Sequence, residues 1–170
     1  YSTRQKGEGY AEGGNRWTKA IIVQRRRPNE PSSLEELKSL AESAGYIVVG
    51  KIEQIRESDS RYQIGAGKVK ELAELVKETG AQKIIFDNPL KPVQAYNLAK
   101  STGVEAIDRF QLILEIFTRR ATTTEAKLQI QLAKLQYELA HAKERVRLAK
   151  MGAQPGFMGL GAYEVDVCYE

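Results

Sequence analysis

The chain has 170 residues, 42% of them apolar, a formal net charge of +4 and a single cysteine, Cys168. That suffices for one domain with an appended element; a lone cysteine excludes an internal disulfide framework, and no Cys/His spacing suits a zinc site, which points to a reducing, cytoplasmic setting. No apolar run of about eighteen residues and no charged–apolar–small leader pattern occurs, so neither membrane insertion nor secretion is expected.

In chain order, "YSTRQKGEGYAEGGNRW", residues 1–17, has no periodicity and reads as a flexible arm. "KAIIVQ" is a strand. "SSLEELKSLAESAG" places Leu34, Leu37, Leu40, Ala41 and Ala44 on one helical face, with a capping box expected from Ser32 and Glu35 and a stop at Gly45. "YIVVGKIEQI" is a second strand, "GKVKELAELVKETG" a helix ended by Gly80, "KIIF" a third strand, "PVQAYNLAKSTG" a helix running from Pro92 to Gly103, and "VEAID" a fourth strand. Such alternation predicts an α/β fold for residues 18–108, a small four-stranded, mainly parallel sheet flanked by helices, because parallel neighbours require a crossover over one face.

Residues 109–170 read as a helical subdomain. Asp108 is the expected N-cap of "RFQLILEIFTRRA", whose Leu112, Ile116 and Phe117 can dock on the sheet. After "TTT" a long helix runs from Thr124 to about Met151, with apolar residues at Leu128, Leu132, Leu135, Leu139, Ala142, Val146 and Ala149. Alternating steps of four and three make a coiled-coil seam, too narrow for a globular core and in need of a partner helix. Beyond it lies "MGAQPGFMGLGAY", a glycine-rich loop over 152–162 that is too apolar for a solvated linker and too rich in glycine to pack itself into a core.

Charge is unevenly spread along this plan. Residues 1–27 carry seven basic side chains against two acidic, 28–108 ten against thirteen, 109–151 nine against four, and the last stretch three acidic residues alone. Basic arm and long helix thus suggest a polyanionic partner, the alternative being a solvated charged face. Enzymatic motifs are lacking. "YQIGAGKVK" departs from a Walker loop because Val69 follows Gly67-Lys68 and Tyr62 replaces the first glycine, so Gly65, Gly67 and Lys68 are at most an anion-receiving helix start. His141, the sole histidine, lies off the seam and reads as a surface residue, and Glu36, Asp87 and Asp108 lie at element ends where capping and turns explain them. No metal ligand set and no catalytic residue emerge, so a binding module is favoured over an enzyme.

The pieces "IGAGKVKEL", "IIFDNPLKPVQAYNL", "IDRFQLILEIF" and "RRATTTEAKLQIQLAKLQYEL", with the glycine-rich loop after them, together resemble the N-terminal region of the HflX family of ribosome-associated GTPases, from about Leu34 to Asp166. This resemblance implies an α/β part and a helical hairpin, with GTP and magnesium bound by a separate Walker-containing domain that this chain lacks. It further implies docking on the large ribosomal subunit, the loop reaching towards the peptidyl transferase centre, in proteins that split or rescue stalled ribosomes and whose GTP-binding domain this part regulates. Glu170 would then fall within or just before the second hairpin helix. Met158, Leu160 and Ala162 stand where the common bacterial loop has an arginine and a Pro-Gly-Glu, which implies an archaeal-type member and puts carry-over of arginine contacts in doubt.

On that reading the phosphate-contact candidates are Arg119, Arg120, Lys127, Lys134, Lys143, Arg145, Arg147 and Lys150, and the tip candidates Gly152, Gln154, Gly156, Phe157, Met158, Gly159 and Gly161, with Phe157 stacking on bases. Several cations could instead pair only with Glu125, Glu138 and Glu144 along the helix. Two rival readings remain: a nucleotide-binding or hydrolysing α/β domain using the IGAGK turn, and a seam that pairs with a second copy of the chain to give a dimer.

Overall fold

The structure, a computed structural model, describes residues 18–151. It contains β1 (Lys19–Arg26), α1 (Leu34–Ser43), β2 (Ile47–Ile55), α2 (Ala66–Thr79), β3 (Lys83–Phe86), α3 (Pro92–Thr102), β4 (Glu105–Asp108), α4 (Arg109–Arg120) and α5 (Thr124–Lys150). All four strands are parallel, in the order β2-β1-β3-β4. The expected fold is therefore present, and the three crossover helices fall where the hydrophobic pattern puts them.

Strands β1 and β3 are central, which is why "AIIV" and "IIF" run without polar alternation. Ile21, Val23, Ile84 and Phe86 face one side with Leu72, Val76 and Leu98 from α2 and α3. Ala20, Ile22 and Ile85 face the other with Leu37 and Ala41 from α1 and Leu112 and Ile116 from α4. The chain steps from β1 out to β2, then across to β3 and β4; this reversal puts α1 and α2 on opposite faces.

Gly45 takes φ 97° just past α1. Its N–H donates to Glu42 O at 3.0 Å and that of Tyr46 to Ala41 O at 3.0 Å, the double bond pattern of a Schellman stop. An L side chain there is strained, so Gly45→Ala is expected to cost about 1–2 kcal/mol. A urea midpoint equal to that of the unchanged chain would contradict this.

Two local expectations are corrected. The N-cap of α1 is Ser33, not Ser32, and it makes no side-chain cap bond. Instead Ser33 Oγ receives Gln24 Nε2 at 3.0 Å and donates to Asp87 Oδ2 at 3.1 Å, while Glu35 pairs with Lys51 at 3.3 Å. Polar groups at the ends of β1 and β3 offer that hydroxyl better partners than its own helix. In α4, Leu112 and Ile116 dock as expected, but Phe117 is 53% exposed. At about 100° per residue it lies on the far side of the helix from Leu112, the side shared by Phe110 and the buried Leu114.

Helix α5 has 27 residues and is about 40 Å long. It packs on α3 and α4, which belong to opposite faces, so it runs along the β4 side of the sheet and shields that edge. The docked face is Ala126, Ile130, Ala133, Tyr137 and His141, all half-buried, with Leu148 buried. The leucine seam points the opposite way: Leu128, Leu132, Leu135 and Leu139 are 60%, 53%, 58% and 77% exposed.

Candidate nucleic-acid interface

In open α/β sheets, small ligands enter the crevice at the carboxyl ends of the strands where strand order reverses, here between β1 and β3. In this chain the crevice is filled by its own side chains. Asn88 brackets β1, accepting from Arg25 N and donating to Arg25 O, each at 2.8 Å. Gln63, at φ 70°, accepts from Arg25 Nε at 2.8 Å and donates to Pro89 O at 2.7 Å, which ties the loops after β2 and β3 to β1. Arg109 spans Asp87 at 2.6 Å and Glu36 at 2.8 Å. These carboxylates hold elements together and leave no converging acid, base and nucleophile.

The IGAGK turn is likewise engaged. Gly65 is the N-cap of α2 and its amide donates to Gln54 Oε1 at 2.8 Å; a Cβ there would meet Arg56 Nη1 at 2.7 Å. Lys68 pairs with Glu71 at 3.0 Å, and Gly67 has open space around it. With one amide and the lysine already partnered and Tyr62 at the first glycine position, these residues do not fit a nucleotide triphosphate with magnesium. No group of His, Cys, Asp or Glu among the described residues could hold a metal ion, and no helix among them is long and apolar enough to cross a membrane.

Chemistry concentrates where α5 meets the sheet. Asp108 is 2% exposed. As the sequence suggested, it caps α4, Oδ1 accepting from Gln111 N at 3.1 Å; Oδ2 also accepts from Leu90 N at 3.0 Å in the loop before α3. Tyr137 from α5 comes near the same carboxylate, and its pKa is pushed up to about 12 by burial and then by that charge. Tyr137 stacks on Phe110 with ring centroids 5.1 Å apart and meets His141 edge-on at 4.5 Å. His141 is thus part of the docked face and not the surface residue expected from its distance to the seam. Burial, then the charge of Arg145, lowers its pKa, with Asp108 acting the other way.

The eight candidate cations of the described residues are not one cluster. Arg119 donates to Ala44 O and Arg120 Nη2 to Ser43 Oγ at 3.1 Å, so both serve the C-terminus of α1, where cations are favoured. Around α5, Lys127, Lys134 and Arg145 line one flank of the leucine seam and Lys143, Arg147 and Lys150 the other, separated by at least about 140°. Lys127, Lys134 and Lys143 are exposed, Arg145 is half-buried beside His141, and Arg147 pairs with Glu144 one turn earlier. The tip candidates, Gly152 to Gly161, lie outside the described residues, as do the arm at 1–17 and Cys168.

Sequence reasoning missed the docked face of α5. Its signal was present in the steps from Ala126 to Ile130, Ala133, Tyr137 and His141, but small and aromatic residues there were outweighed by the leucines opposite.

Comparison with known proteins adds the following. Residues 31–118 match the family model described as GTP-binding GTPase N-terminal, and residues 120–170 that described as GTP-binding GTPase Middle Region. The chain is 56% identical over 137 residues to the GTPase HflX of Thermofilum pendens, covering 80% of this chain and 32% of that protein. It is 51% identical over 150 residues to that of Methanocaldococcus jannaschii (88% and 37%) and 44% identical over 105 residues to that of Escherichia coli (61% and 25%). A crystal structure of a GTP-binding protein from Sulfolobus solfataricus in complex with GDP is similar at TM-score 0.58 and 28% identity, over 74% of this chain and 39% of that one. The chain thus spans between a quarter and two-fifths of the length of these relatives.

Proposed function

The chain belongs to the HflX family of GTPases, matching its N-terminal and middle regions, and from that premise we propose that it is a ribosome-binding part of such a GTPase, in which α5 is a basic arm that docks on large-subunit RNA. The observation that carries this reading is the way α5 is held. Its inner face is fixed to the α/β unit, which leaves the flanks bearing Lys127, Lys134 and Lys143 turned outwards along about 40 Å of helix. Rigid presentation of cations suits a phosphate backbone, whose binding is dominated by charge. GTP and magnesium are assigned to a separate domain of the whole protein, since the IGAGK turn offers them no fitting place. The exposed leucines are the bed for a helix returning from the glycine-rich loop, with a second copy of the chain as its competitor there. Splitting or rescue of stalled ribosomes is the activity this part would serve in the whole protein, and cytoplasm is where it would act.

The test is co-sedimentation with isolated large ribosomal subunits across a salt series, with Phe157→Ala alongside. Binding is expected to fall linearly in log–log form with salt, by a slope of about −0.7 to −0.9 per phosphate contact, and to weaken further without the aromatic ring. Absence of binding even at low salt would refute autonomous docking. Binding or turnover of GTP by the chain, lost in Lys68→Ala, would favour a nucleotide-handling domain instead.

A further inference from the structure

We infer that the segment after β2, from Arg56 to Gly65, is a preformed RNA contact in its own right, in which Arg61 takes an unpaired base and Arg56 a phosphate. This rests on the reading of the chain as a part that docks on ribosomal RNA. Surface loops are commonly mobile and held by little beyond their ends. Here the backbone is fixed from within and from two neighbouring elements. Asp59 Oδ1 accepts from Arg61 N at 2.8 Å and from Tyr62 N at 2.9 Å, and Asp59 and Gln63 exchange backbone bonds. From α3, Gln94 Nε2 donates to Asp59 O at 2.8 Å and Asn97 Nδ2 to Arg61 O at 3.1 Å; from β1, Arg25 Nη1 donates to Arg56 O at 2.9 Å. Gln63 is held in the left-handed region at φ 70° while only 6% exposed. Backbone strain of that kind persists only where the surroundings over-determine it, and it clusters at sites whose shape matters.

What this frame presents is positive charge. Glu57 is taken by Arg27 at 3.2 Å and Asp59 is turned onto its own loop, whereas Arg56 and Arg61 are exposed and in no ion pair among the described residues. The Arg61 guanidinium lies over the Tyr62 ring, 5.4 Å from its centroid, and Tyr62 is packed against the core below. The ring therefore backs the guanidinium and leaves its outer face for a base, since arginine planes stack on unpaired bases. Gly65 gains a purpose as well. Arg56 Nη1 lies 2.7 Å from where a Cβ would stand, so the first glycine of IGAGK makes room for this arginine. The whole element sits at the carboxyl ends of the strands. Helix α5 passes that level at Tyr137, stacked on Phe110 in the first turn of α4, and runs on for about 20 Å. Loop and arm thus offer cations on one side of the molecule, where a single RNA can meet both.

The experiment is fluorescence anisotropy of the whole chain with a labelled oligoadenylate RNA about twelve nucleotides long, a length that suits one single-strand site, and with an RNA duplex of equal length. Arg61→Lys keeps the charge and removes the plane. It is expected to weaken oligoadenylate binding about tenfold at an unchanged log–log salt slope and to leave duplex binding as it was. Arg56→Gln removes one cation and is expected to flatten the slope by about 0.7. Both side chains are exposed, so neither change is expected to move the urea midpoint. Absence of oligoadenylate binding at ~50 mM salt, or binding that neither substitution alters, would overturn the inference and leave the two arginines to a protein's carboxylate surface. Co-sedimentation of the same variants with large subunits separates the loop from the reading it rests on. Subunit binding that ignores both substitutions overturns the loop contact and keeps docking through α5. Oligoadenylate binding with both effects, in a chain that subunits do not retain, keeps the loop as an RNA contact and sinks the ribosome reading.

Discussion

Asp108→Asn is expected to destabilise the chain by about 2–3 kcal/mol, nearly as much as Asp108→Ala. The comparison separates two roles of this side chain. If it were a helix cap alone, asparagine would replace it at almost no cost, since the two are equivalent at N-caps, and alanine would lose about 0.5–2 kcal/mol. In the structure, however, Oδ1 receives Gln111 N–H and Oδ2 receives Leu90 N–H, so both oxygens are engaged. Asparagine keeps one acceptor oxygen and must turn an NH2 group towards a donor. One buried N–H is then orphaned, at about 1–3 kcal/mol. For a chain of this size the change corresponds to a melting point lower by roughly 4–12 °C. Urea denaturation checks it through a shifted midpoint at constant slope, and an Asn variant as stable as the unchanged chain would reduce Asp108 to a cap.

That hub also marks how far the sequence could be read. The strands, the crossovers and the glycine stops follow from runs such as "AIIV" and "KIIF" and from glycines at 45, 80 and 103, because each is a local matter of period or backbone sign. Asp108 could be assigned its cap from spacing to Gln111 alone. Its bond to Leu90 and its nearness to Tyr137 span 18 and 29 positions, and no periodicity encodes such a meeting. Ser33 shows the same limit from the other side: the local rule favoured a capping box from Ser32, and long-range partners at Gln24 and Asp87 drew the next serine away from capping. The cations of α5 were legible as a basic tract but not as two stripes, since their division depends on which side of the helix is docked. That side was hidden because a leucine seam is a louder signal than a row of alanines with one tyrosine and one histidine. The helix has apolar residues on both faces, and only packing decides which is the inner one.

The two stripes carry the other large expected effect. Changing Lys143, Arg147 and Lys150 to glutamate is expected to weaken large-subunit binding by about a hundredfold at ~0.1 M salt and to flatten the salt dependence by about 2–3 in log–log slope, if that flank meets RNA. Lys127→Glu with Lys134→Glu probes the opposite flank, where removal of both cations would flatten it by about 1.5–2. Arg145 is left out of both sets. It adjoins His141 and acts on Tyr137, so a carboxylate there would disturb the docked face of α5 and confuse damage to the arm with loss of a phosphate contact. Slope is the discriminating quantity because a misplaced or loosened arm that retains its cations weakens binding at every salt concentration alike, whereas a missing cation releases fewer counterions and tilts the line. A tilt confined to one flank would say which side of α5 lies on RNA and which is left to a returning helix. Parallel lines for both variants, displaced or not, would mean that α5 touches no phosphate, and its positive charge would then be a solvated face.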